Sequence, residues 1–148
     1  MSGTVRSMHE PVWQFHHSIE CRVPRQFAWD YWTNIANWND PPATFDLDGP
    51  FDAGSQLTTR LPGQTFHSVI RHLVAGHEAI IEMSLEEATL SFHWKFESAS
   101  EDRTRIIQRV ALSGRNAEAF VAQASVLEAS TPGGMKKLVA TIERSFGN

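Results

Sequence analysis

AIIEMSLEEATLSFHWKFE, residues 79–97, is the stretch on which the fold turns. Ala79, Ile81, Met83 and Leu85 alternate with Glu82, Ser84 and Glu86; Leu90, Phe92, Trp94 and Phe96 alternate with Ser91, His93, Lys95 and Glu97. A period of two in both halves predicts two strands, each with one buried and one wet face. The break at Glu86 and Glu87 is too short for a crossover, so the pair is antiparallel.

The same reading extends outward. After a polar loop from Ser98 to Arg103, Ile106, Gln108, Val110 and Leu112 share the inward face of the last strand. Upstream, Ser55 to Leu61 and Thr65 to Val74 are strands joined at Pro62–Gly63, with turns at Gly49, Pro50, Gly54 and Gly76. In the second of these, Phe66, Ile70 and Val74 compete with Val69 and Leu73 for the inward face, and a bulge would reconcile them. Thr44 to Leu47 suits a short strand. From Trp13 to Val23 the pattern is strict: Trp13, Phe15, His17, Ile19, Cys21 and Val23 face one way, and Gln14, His16, Ser18, Glu20 and Arg22 the other. Pro24 fits the first position of a helix, where its missing N–H costs nothing. Phe27, Ala28, Tyr31 and Trp32 line one side of that helix. A further turn spans Ile35 to Trp38 and stops at Asp40, Pro41 and Pro42.

Beyond Gly114 the period changes to 3.6. Ala117, Phe120, Val121, Ala124 and Leu127 form one stripe; Met135, Leu138, Val139, Ile142 and Phe146 form another. Pro132 between them predicts a kink or a restart, with Thr131 as N-cap. The expected class is therefore α+β: a curved antiparallel sheet of about seven strands wrapped around a long kinked C-terminal helix, with two short helices after the first strand. Residues 1–11 read as a flexible tail and 12–148 as one domain.

Composition narrows the function classes. With 13 Lys and Arg against 17 Asp and Glu, and no basic run, the chain lacks the positive stripe that nucleic acid demands. One cysteine, Cys21, allows no internal disulfide. No stretch approaches the roughly 20 apolar residues of a membrane span, and Met1 to Pro11 has no apolar signal segment, so a cytoplasmic location is expected. The histidines at 67, 72, 77 and 93 lack even spacing within a strand, so no metal and no cofactor is expected. Five Trp and nine Phe must mostly be buried, each removing on the order of 150–250 Å² from water.

Three stretches carry a family resemblance. Ile19 to Trp38, IECRVPRQFAWDYWTNIANW, is similar to the opening strand, proline-led helix and following tryptophan of the START-like (SRPBCC) superfamily, which has the helix-grip fold. GPFDAGSQL, Gly49 to Leu57, resembles a turn of its polyketide cyclase/dehydrase-like branch. The strand starting at Thr104 and Arg105 and ending at Gly114, followed by a helix containing MKKLVATIE, resembles the family's C-terminal pattern. The resemblance implies a deep pocket between sheet and helix for a hydrophobic or amphipathic small molecule. No catalytic residue is common to the family, so none carries over.

The pocket is expected under the alanine-rich first half of the last helix (Ala117, Ala119, Ala122, Ala124, Ala129). Its lining is expected to include Phe15, Leu57, Thr59, Met83, Phe92 and Trp94 from the strands, Phe120 and Ala124 from the helix, and Trp38 as a flap over the mouth. Close packing of Phe92, Trp94 and Phe120 would instead fill the space, and Trp38 would then be a plug. His17 points inward and either orients a ligand or acts as general base, or is a core histidine satisfied by a neighbour. Gln108 needs a partner for its amide. Tyr31 could donate a hydrogen bond or simply pack. Three functions follow: binding of a lipid-like, polyketide-like or aromatic molecule; a cyclase or dehydratase with His17 and Tyr31 as catalytic groups; or a protein-interaction module. An exposed strand edge would also allow a homodimer.

Overall fold

The computed structural model describes residues 10–38 and 40–147. The tail expected at residues 1–11 lies outside them except for Glu10 and Pro11. Seven strands form one antiparallel sheet: β1 (Trp13–Cys21), β2 (Thr44–Leu47), β3 (Gln56–Leu61), β4 (Gln64–Val74), β5 (Glu78–Leu85), β6 (Ala88–Ser100) and β7 (Arg103–Ser113). Their order is β1-β7-β6-β5-β4-β3-β2, so β1 and β2 are the two edges. Helix α1 (Arg25–Trp32) and a 3-10 turn (Ile35–Asn37) follow β1; a second 3-10 turn (Ala117–Phe120) leads into α2 (Val121–Gly147).

The register settles the ambiguous strand. Ser68 pairs with Met83 and Ile70 with Ile81; a bulge then intervenes before His72, and Leu73 pairs with Ala79. Neither competing set was right as a whole. Phe66, Ser68 and Ile70 face inward before the bulge and Leu73 after it, while Val69 and Val74 face out. One inserted residue reverses the alternation.

Two expectations about the helices need correction. Pro24 is the N-cap of α1, one position before its first residue. The long helix does not restart: α2 runs unbroken through Pro132, and Thr131 is no N-cap. Instead the Thr131 hydroxyl donates to the Leu127 carbonyl at 2.8 Å, within the same helix. The missing N–H of Pro132 costs one ladder bond, and burial of Thr131, Met135, Val139 and Ile142 on the same face holds the turn together.

Trp32 is 3% exposed and lies amid Trp29, Trp38, Phe51, Trp94 and Phe96, with ring centroids 5.1 to 5.7 Å away. Trp29, left off the inward side of α1 by the sequence pattern, is buried and meets Phe96 edge-on at 5.4 Å. These rings, with Met135, Val139 and Ile142 of α2, form the larger of two cores. The smaller gathers Phe15, Leu90, Val110, Leu112, Ala117 and Ala124 at the other end of the sheet. At the end of β1, Glu143 of α2 accepts from the Arg22 backbone N–H at 2.8 Å and from its guanidinium at 3.3 Å.

On the convex face, β4, β5 and β6 are cross-linked by polar side chains. Glu78 lies between His93, whose Nε2 is 2.6 Å from one carboxylate oxygen, and His72, whose Nε2 is 3.7 Å from the other. The hydrogen bond to His93 is the main cause that holds the Glu78 carboxyl below its ordinary range. A carboxyl with a lowered folded pKa stabilises the fold above its unfolded pKa and loses that contribution as pH falls through the folded value. Glu78→Gln should therefore cost about 0.5–1 kcal/mol near neutral pH, in keeping with a partly exposed pair, and nothing in strong acid; urea unfolding at the two pH values checks it. A second variant tests the turn before α2. Gly114 has φ +110°, and an added Cβ would come within 2.8 Å of the Ala88 Cα. Gly114→Ala should lose about 2–4 kcal/mol in the same measurement, from strained backbone plus the clash.

Candidate functional site

Cross-strand rows define the concave face. His17, Gln108, Trp94, Ala79 and Leu73 lie side by side in one row, linked through β1, β7, β6, β5 and β4. Phe15, Val110, Phe92, Ile81 and Ile70 form the next row towards the smaller core. Met83, Ser68 and Leu57 belong to the row beyond it. Thr59 faces inward between Phe45 and Phe66 on the β2 side.

His17, Met83, Phe92 and Trp94 stay half-buried although they lie on the inner side of the sheet. Helix α2 follows β1 and approaches it far more closely than the central strands. Gln108 is 7% exposed, yet neither its amide nor the His17 ring has a side-chain hydrogen bond among the described residues. Arg25 Nε is the sole fully buried side-chain N or O without a partner among the described residues.

The structure separates the other candidate residues into two groups. Tyr31, Trp38, Leu57 and Trp94 belong to the larger core, and Phe15, Met83, Phe120 and Ala124 to the smaller; Phe92 packs against both. Only Ala117 and Ala124 of the five helix alanines turn towards the sheet, while Ala119, Ala122 and Ala129 are exposed. The space expected beneath the first half of the helix is thus occupied: Phe15, Val110 and Leu112 pack with Ala117 and Ala124. The two cores meet at Phe92.

Trp38 donates its indole N–H to the Trp32 carbonyl at 2.6 Å and packs on Phe45 and Phe51. Those contacts give it the geometry of a plug at the helix end. Phe45, Phe51 and Leu73 adjoin the same region and were not singled out from the sequence. Phe45 and Phe51 sit in short or turn-rich segments with little periodicity, and the bulge hid the phase of Leu73. Burial is the main cause that pushes the Cys21 thiol up to about 12, with the Glu143 carboxylate adding to it; this is an unreactive core thiol.

The convex face carries a separate open groove of about 600 Å³, bounded by Glu82, Ser84, Thr89, Ser91, Ser113 and Arg115. It arises where small outward side chains adjoin on β5, β6 and β7, and the Arg115–Glu87 ion pair closes one side. Among the described residues no group of three or more His, Cys, Asp or Glu has the arrangement of a metal site. No described helix is long and apolar enough to cross a membrane.

No family model matches the chain, and no curated protein does. Solved structures do. Norcoclaurine synthase from Thalictrum flavum aligns over 92% of this chain and 96% of its own, at 13% identity and a TM-score of 0.71. The Zhui aromatase/cyclase from Streptomyces sp. R1128 aligns over 89% and 94%, at 14% identity and a TM-score of 0.72. Ara h 8.0201 aligns over 92% and 99%, at 16% identity and a TM-score of 0.60. At such identities the likeness is one of fold. A seven-stranded curved sheet with a long C-terminal helix across it, shared along nearly the whole length of these proteins, is the helix-grip fold.

Proposed function

We propose that this protein binds a hydrophobic or amphipathic small molecule in the open space between the concave face and α2. One observation carries the reading: the Gln108 amide and the His17 ring stand side by side on a mostly apolar face, and neither has a side-chain hydrogen bond among the described residues. Sites for small organic ligands are built this way, from apolar and aromatic walls with a few placed polar groups. Phe92 and Trp94 supply the nearest aromatic wall, and Met83 an adaptable one.

A second reading is favoured by the same pair. His17 could take a proton from a bound substrate while Gln108 or Tyr31 holds the developing oxyanion, and two of the similar folds are a synthase and an aromatase/cyclase. Binding is preferred because proton-transfer sites pair titratable groups whose pKa values are pushed apart, and His17 is the one inward-facing histidine among the described residues.

Native and denaturing mass spectrometry of freshly purified protein, with extraction of what is lost between the two, tests the proposal. The expected result is a defined extra mass that returns as an intact lipid-like or aromatic molecule. A protein that carries nothing and takes up no apolar compound overturns it. Turnover of an aromatic or polyketide-like substrate that His17→Ala abolishes would instead support the enzyme.

A further inference from the structure

We infer that this site selects against charge: its ligand is an uncharged, ring-containing molecule whose single polar edge is read by Gln108 together with His17. The inference rests on the binding function proposed above. Its basis is a census of the concave face. No inward position on the seven strands is Asp, Glu, Lys or Arg; the polar ones are His17, Thr59, Gln64, Ser68, Ser98, Thr104 and Gln108. The buried positions of α2 are Ala124, Thr131, Met135, Val139 and Ile142, again without charge. The Asp, Glu, Lys and Arg residues of the strands all fall on the convex side of the register or in the turns.

Two arginines, Arg22 and Arg25, flank the end of β1. Arg22 holds Glu143 at the end of β1. Arg25, at the start of α1, stands 3.4 Å from His77 on the β4–β5 turn. Neither belongs to a concave row. A carboxylate, sulfonate or phosphate entering this space would leave water and gain no counter-ion, which is strongly unfavourable in an apolar surrounding. A hydroxyl or carbonyl loses far less. The Gln108 amide offers both donors and an acceptor, and a neutral imidazole one of each, so the pair can satisfy either group. Trp94 follows Gln108 in the same row, so an aromatic ring beside that polar edge would meet an indole.

Two dyes with one skeleton test this: neutral N-phenyl-1-naphthylamine and anionic 8-anilino-1-naphthalenesulfonate, titrated by fluorescence under the same buffer conditions. After correction for octanol partition, the neutral dye should bind at least about tenfold more tightly. Gln108→Lys should move that ratio about tenfold towards the sulfonate. Should that variant fail to fold, Gln108→Leu decides, because it should erase the wild-type preference for 1-naphthol over naphthalene. Equal corrected affinities for the two dyes, or an unchanged naphthol preference in Gln108→Leu, overturn charge selection and leave the binding function standing. Failure of the wild type to bind either dye or either naphthalene overturns both.

Discussion

A single helix cannot cover a seven-stranded sheet, and much of this structure is a response to that mismatch. Seven strands at 4.7–4.9 Å spacing span roughly 29 Å, whereas a helix with its side chains is about 10–12 Å across. The 27 residues of α2 make it long enough to run the length of the sheet but not wide enough to close it. Curvature reduces the deficit, and α1 covers part of the rest. In the middle of the concave face Met83, Phe92 and Trp94 of β5 and β6 stay half-buried.

The two cores lie towards opposite ends of the sheet. At one end, Trp32 lies among five other aromatic rings and ties α1, the β2–β3 region and β6 together. At the other end, the small side chains of Ala117 and Ala124 let the start of α2 settle against Phe15, Val110 and Leu112. Glu143, bonded to the Arg22 backbone and side chain, fixes the far end of the helix to β1. With both ends anchored, the helix spans both cores, and Phe92 packs against each of them.

The separation of charge follows from the same geometry. A sheet with one wet and one dry face sorts polar and apolar residues by parity, so ionisable groups collect on the convex side. Glu78, His72 and His93 cross-link three strands there, where solvent moderates the cost of charge. His17 and Gln108 depart from that sorting and occupy dry-side positions without a side-chain hydrogen bond among the described residues. Buried polar groups are normally satisfied, which is why the proposed site is built on this pair.

Much of the architecture was legible in the chain itself. The alternation in β1, β5, β6 and β7 is uninterrupted, so hydrophobic period alone assigned both the strands and the inward residues Phe92, Trp94, His17 and Gln108. Short turns then required antiparallel pairing. Three features were decided only by tertiary structure. The phase of β4 depended on a bulge, which inserts one residue without any marker in composition. The continuity of α2 through Pro132 depended on burial of Thr131 and Met135, which outweighs a local helix-breaking preference. The division of the interior into two cores depended on which side chains distant in sequence pack together. Period is a local quantity set by backbone geometry and can be read from neighbours along the chain; a packed cluster is a relation among many non-local contacts, and it exists only once the sheet has curved around the helix.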